Sequence, residues 1–208
     1  MKLINEKRPH ILDANTEKLL TEAQDALSTP SNVYGMFSNA DLEFEDAIDK
    51  DGQAYPLTQG TFIKYLESDD RELRASAFRN VYKAYGAHNN TLGATLAGEV
   101  KKNVFNARTH HYRSARERAL SNNHIPEAVY DNLIKTVHKY LPLLHRYTKL
   151  RQELLGLDDL KMYDLYTPLV KDVKFEMPYE EAKSWMLKAL EPMGEEYLNV
   201  VKEGLDNR

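Results

Sequence analysis

Ser68-Asp69-Asp70-Arg71-Glu72-Leu73-Arg74-Ala75-Ser76-Ala77-Phe78-Arg79-Asn80-Val81-Tyr82-Lys83-Ala84-Tyr85 decides the fold class. It opens with a Ser cap and acids where a first turn would lie, which suits the positive end of a helix dipole. Leu73, Ala77, Val81 and Ala84 then form one stripe, with Phe78, Tyr82 and Tyr85 as a second beside it. The pattern runs on past Gly86 through Leu92, Leu96, Val100 and Val104 at four-residue steps. That period is helical. The spacing predicts one long helix from Asp69 to about Thr109, or two stacked end to end, bent near Gly86.

A second long helix opens at Pro126. Val129, Leu133, Val137, Tyr140, Leu144 and Tyr147 step by 4, 4, 3, 4 and 3, a continuous apolar face. Pro142 inside that run predicts a kink, because its ring removes a backbone bond. Gly156 is a natural stop. Shorter helices are expected from Glu17 to Leu27 with Thr16 as cap, from Pro30 to about Asn39, from Ser114 to Ser121, from Tyr179 to Leu190, and from Glu195 to about Leu205. Pro30 is expected to restart the chain at a first helical position. The one strand signal flanks Asp49-Lys50-Asp51-Gly52, an Asp-Gly turn between Leu42, Phe44, Ala47 and Ala54, Tyr55, Leu57. Lys161 to Val170 reads as extended. The expected fold is mainly α: a bundle-like lobe with two long helices and one β-hairpin at about residues 42–57.

Composition narrows the function. The chain has 208 residues, 42% hydrophobic and 29% charged, with a net charge of -4, so a disordered chain is excluded. That length suits one domain or two small ones. No apolar run approaches the ~18 residues of a membrane helix, and no signal-peptide core follows Met1. Without cysteine there is no disulfide framework, thiolate zinc site or cysteine nucleophile. The cytoplasm is the simplest compartment. Slight acidity argues against a dedicated nucleic-acid binder.

The search for chemistry returns little. Of seven histidines, His138 and His145 share a helix face but lie ~10 Å apart along it, too far for one ion. His110 and His111 are adjacent and diverge. HExxH, His-x-His and Glu-x-x-His are all absent. The acid pairs Asp69-Asp70, Glu180-Glu181 and Glu195-Glu196 fall in first turns, where they offset the helix dipole; Asp158-Asp159 is the fourth pair. There is no nucleophile elbow, phosphate loop or dinucleotide fingerprint. The small residues Gly86, Gly93, Ala94, Ala97 and Gly98 predict close approach of a neighbouring helix. The basic run Lys101-Lys102, Arg108, Arg113, Arg116 and Arg118 reads as a solvated helix end, with an anion contact as the lesser reading.

Several runs resemble oligoendopeptidase F. They include Pro30-Ser31-Asn32-Val33-Tyr34-Gly35-Met36, Lys101-Lys102-Asn103-Val104-Phe105-Asn106-Ala107-Arg108 and Tyr112-Arg113-Ser114-Ala115. Val129-Tyr130-Asp131-Asn132-Leu133-Ile134, Leu141-Pro142-Leu143-Leu144-His145-Arg146-Tyr147, Met162-Tyr163-Asp164-Leu165-Tyr166-Thr167-Pro168-Leu169 and Leu190-Glu191-Pro192-Met193-Gly194-Glu195-Glu196-Tyr197 follow in consistent order. The resemblance implies a cytoplasmic zinc metallopeptidase that cuts internal bonds of short peptides. It implies a largely helical fold, two lobes around a deep channel.

In that family HExxH and a downstream Glu hold zinc, and the motif Glu activates water. Here the motif is missing, and Lys2 to Asp13 resembles mid-chain sequence rather than a leader. The expectation is an internal piece: residues 1–122 resembling the family's N-terminal domain, and 123–208 the helical start of the peptidase domain, stopping short of the zinc motif. Zinc belongs to the full-length enzyme. No catalytic or metal-binding residue carries over to any position here, and substrate-binding residues are left open. Oligopeptides are the implied partners, with no nucleic acid and no membrane, and the oligomeric state is left open. The rival reading is a helical interaction module without chemistry; polyanion binding through Lys101 to Arg118 ranks last.

Overall fold

The computed structural model describes residues 2–170 and 177–207, in two compact units, Met1–Leu169 and Val170–Arg208. The first begins with α1 (Lys2–Lys7), a 3-10 turn (Arg8–His10), α2 (Ala14–Glu22) and α3 (Gln24–Met36), which ends in a π turn (Phe37–Asp41). The hairpin strands β1 (Ala47–Ile48) and β2 (Ala54–Tyr55) follow, then α4 (Gln59–Leu66), α5 (Arg71–Gly86), α6 (Asn89–Thr109), α7 (Ala115–Ser121) and α8 (Glu127–Leu154). A 3-10 turn at Met162–Asp164 closes this unit. The second unit holds α9 (Tyr179–Ala189) and α10 (Glu195–Asp206), joined through a 3-10 turn at Glu191–Met193. The fold is mainly α with one antiparallel hairpin.

The hairpin is much shorter than the apolar pattern suggested. Only Ala47 opposite Tyr55 and Ile48 opposite Ala54 pair. The turn is as expected: Gly52 takes φ +82°, which a glycine tolerates without a Cβ clash. The Asp49 carboxylate accepts from the Asp51 and Gln53 amides, both at 2.9 Å. On the inner side Ala47, Leu57, Leu73, Ala77 and Val81 form the buried core, flanked by Phe44, Tyr55, Phe62, Tyr65 and Tyr85. The first of the two α5 stripes is therefore filled by the hairpin. The Ile48 amide donates to Ser76 Oγ on α5 at 2.8 Å, which ties the strand to the helix.

The break expected near Gly86 is real: α5 ends there and α6 restarts at Asn89. Asp70, two residues after the expected cap Ser68, caps α5 through the Glu72 and Leu73 amides. Ser114 caps α7, and α8 starts directly after Pro126. Gly156 at φ +66° ends α8; its amide donates to the Glu153 carbonyl and that of Leu157 to the Gln152 carbonyl, a Schellman closure.

Three local expectations are corrected. Asp13, not Thr16, caps α2, because its carboxylate reaches the Asn15 and Thr16 amides at 3.1 Å each. Pro30 does not restart the chain but sits inside α3. Its ring packs on Gly98 of α6, and that contact offsets the backbone bond a proline removes. Lys161 to Val170 is not extended: it coils through the 3-10 turn around a buried side chain, Asp164.

Candidate functional site

The polar centre of the larger unit is assembled from α5, α8 and the turn after it. Arg71 and Arg74 lie three residues apart on α5, so both face the same side. That side meets Asp164, which is fully buried. Arg71 Nη2 lies 3.0 Å from Asp164 Oδ2, and Arg74 Nη2 lies 2.8 Å from Oδ1. The Lys161 amide donates to Oδ2 at 2.9 Å. Burial alone would push the Asp164 carboxyl up; Arg71, Arg74 and the Lys161 amide outweigh it and hold the group below the usual carboxylate range. Arg71 is in turn pushed up, chiefly by its hydrogen bonds to Asp164.

Arg151 of α8 reaches the same segment. Its Nη2 donates to the Asp164 carbonyl at 3.2 Å and the Thr167 carbonyl at 2.6 Å, and Nη1 to Tyr147 Oη at 3.2 Å. Arg71 Nη2 also donates to the Asp159 carbonyl at 2.6 Å. Three arginines thus fasten residues 159–167 onto two helices. An Asp held ionised among guanidinium donors has no proton to give and no free lone pair aimed at solvent, so this arrangement clamps and does not catalyse. Sequence reasoning missed it. The available signals were an arginine, Arg74, inside an apolar stripe, and an acid, Asp164, between aromatic neighbours.

The other singled-out residues are dispersed. His138 and His145 are exposed along α8, and His110 ends α6 with its Nδ1 2.8 Å from the Asn106 carbonyl. His111 has φ +60°. Among the described residues no group of three His, Asp or Glu side chains could hold a metal ion. Asp70, Glu180, Glu181, Glu195 and Glu196 sit at helix starts, as their pairing suggested. Asp159, in the loop before the 3-10 turn, pairs with Lys161 at 2.5 Å.

Of the three glycines in this stretch only Gly98 makes a close approach. A Cβ there would lie 2.7 Å from Pro30 Cγ, whereas Gly86 and Gly93 face open space. The expectation that Gly93 needs its smallness is therefore wrong. Beside this contact, α3 and α6 enclose a groove of about 490 Å³ lined by Tyr34, Tyr85, Leu92 and Leu96, with Glu99 at its edge. Glu99 already accepts from Lys102, Ser31 and Asn103, which hold it below the ordinary range.

Half of the basic run from Lys101 to Arg118 is neutralised. Lys102 pairs with Glu99, Arg113 with Glu117 and Glu127, and Arg116 with Glu127 and Asp131. The first α5 stripe is covered, Tyr82 of the second is exposed, and the broad open apolar face belongs to α8.

The pattern of peptidase family M3 matches residues 64–199, and that of oligopeptidase F matches residues 1–44. The chain belongs to peptidase family M3. Oligopeptidase PepF of Bacillus subtilis is 54% identical over 99% of this chain and 31% of its own length. Group B oligopeptidase PepB of Streptococcus agalactiae is 44% identical over 97% of this chain and 33% of its own. The crystal structure of oligoendopeptidase-F from Enterococcus faecium superposes with a TM-score of 0.79 at 42% identity, covering 98% of this chain and 38% of that one. This M3 chain therefore spans about a third of the length of the curated relatives it matches.

Proposed function

We propose that this chain is the scaffold and channel-wall section of a zinc-dependent oligoendopeptidase that hydrolyses internal bonds of short peptides. The observation that carries the reading is the 54% identity to an oligopeptidase along 99% of the chain. In this reading residues 1–122 form the N-terminal helical domain and 123–208 open the peptidase domain of a cytoplasmic enzyme, acting on oligopeptides and on neither nucleic acid nor membrane. Among the described residues no three ligands converge, so in this reading metal and general base come from polypeptide other than these residues. The clamp at Asp164 keeps the helices in register around the channel.

The test is to express the reading frame with its downstream coding sequence and assay a quenched fluorogenic octapeptide. Cleavage that a chelator abolishes and zinc restores is expected; a pure, folded product without cleavage would overturn the reading. The rival reading is a helical interaction module without chemistry. A stop codon directly after Arg208 in the genomic sequence would favour it.

A further inference from the structure

A column of cations without ion-pair partners runs along α8. From Asn132 to Gln152 the sequence contains no acid, while Lys135, Lys139, Arg146 and Lys149 all lie there. Each is exposed, and none of the four makes an ion pair among the described residues. At ~100° per residue the four fall within an arc of about 80°, and at ~1.5 Å per residue they run ~21 Å along the helix. His138 and His145 border the same column. This stripe stands out because the whole chain carries -4, so the remaining surface is distinctly acidic.

We propose that this column binds acidic oligopeptides, which names a substrate class for the peptidase reading and rests on it. An extended peptide advances ~3.3 Å per residue, so about six residues match the column's length. Side chains on one side of such a peptide repeat every ~7 Å, close to the spacing of cations one to two helical turns apart. Carboxylates facing an uncompensated basic strip gain association rate and orientation through complementary charge.

The placement disfavours the other polyanions. Single-stranded nucleic acid wants several stacking aromatics interleaved with the cations; of the α8 tyrosines Tyr140 alone meets the column, its ring centroid 5.4 Å from Lys139 Nζ, and Tyr130 and Tyr147 lie round the helix from it. A helix lying in a lipid surface carries its cations at the border of its apolar face. Here Leu133, Val137 and Leu144 point almost directly away from Lys135 and Arg146, so burying them in lipid would turn the cations from the headgroups.

Fluorescence anisotropy of fluorescein-labelled hexaglutamate with the 208-residue chain tests the proposal. Saturable binding that weakens with added salt is expected, with hexaglutamine not binding. The combined variant Lys135→Glu, Lys139→Glu, Arg146→Glu and Lys149→Glu should bind at least tenfold more weakly. A charge-matched variant, Lys50→Glu, Lys64→Glu, Arg79→Glu and Lys101→Glu, should bind within twofold of the parent. Should charge reversal lower the helical circular dichroism, the corresponding Gln set at the four α8 positions is read instead.

Equal loss in both variant sets overturns the proposal, as does hexaglutamate binding that ignores the α8 changes. Tighter binding of a thymidine oligonucleotide, or of phosphatidylserine vesicles, overturns it in favour of those partners. Chelator-sensitive cleavage by the longer product with no hexaglutamate binding here defeats this inference alone; binding without cleavage defeats the peptidase reading alone.

Discussion

Arg74 places two nitrogens on one oxygen of Asp164, Nη2 at 2.8 Å and Nε at 3.3 Å, across 90 residues of sequence. Arg74 is 3% exposed and Asp164 fully buried, so each is the counter-charge that makes the other's burial tolerable. Asp164→Ala should therefore cost about 3–5 kcal/mol, the usual penalty for leaving a buried charge uncompensated. Arg71→Ala should cost clearly less, since the Arg71 side chain is 39% exposed and can solvate its surroundings. Urea denaturation of both variants beside the parent checks the order.

The same pair sets an acid limit. The Asp164 carboxyl is held below its unfolded value of ~3.9, so its contribution is complete above that pH and is lost as pH falls toward the folded value. The stability gap between the parent and Asp164→Asn should be flat from neutrality down to about pH 5 and narrow below about pH 4. Denaturation midpoints of both proteins from pH 7 to pH 2.5 read this directly. A gap that widened on acidification would mean that the carboxyl is protonated in the folded protein.

Two glycines on one helix should respond oppositely. Gly93 faces open space in the interior of α6, so Gly93→Ala should stabilise by just under 1 kcal/mol through helix propensity, and Gly93→Leu should also be tolerated. At Gly98 a Cβ would meet the Pro30 ring at 2.7 Å, and Gly98→Leu should destabilise by about 1–3 kcal/mol despite the same propensity gain. Thermal unfolding of the variants separates the two positions.

The exposed apolar surface is concentrated on α8, where Leu133, Val137, Tyr140 and Leu144 are each at least half exposed. A face of that breadth binds apolar dyes. The chain should enhance anilinonaphthalene sulfonate fluorescence, and Val137→Lys with Leu144→Lys should remove most of the signal. The matched change Leu19→Lys with Ile11→Lys should leave it largely intact.

Much of the helical plan was legible because it rests on local rules: the α5 stripe, the restart after Gly86, the short helix from Ser114, Pro126 before α8 and Gly156 after it. The misreadings occur where distant contacts override local preference. Pro30 stays inside α3 because Gly98, 68 positions later, leaves room for its ring. The hairpin pairs over only two residues per strand, and its outward-facing Ile48 amide is taken by Ser76 of α5. Lys161 to Val170 coils because Asp164 is drawn inward by arginines from other helices. The clamp itself was invisible, since nothing near Asp164 in sequence carries its partners. Of the α8 surface the apolar half was read correctly as a stripe. Its basic half went unnoticed, because the densest run of cations, Lys101 to Arg118, drew attention first, and half of that run is paired with acids.

Joining Arg71 and Arg74 to Asp164 also encloses everything between them, and Glu6 meets His124 at 3.1 Å from the other direction. A single cut in the turn Asn122–Ile125 would therefore not free the pieces. The strand of chain before the cut holds the arginines and the strand after it holds the aspartate, so the nicked protein would still travel as one body at neutral pH. Acid strong enough to neutralise the carboxylate would weaken that hold. Covalent continuity through that turn is dispensable for cohesion, which makes it a natural place to split the chain into two fragments that find each other again.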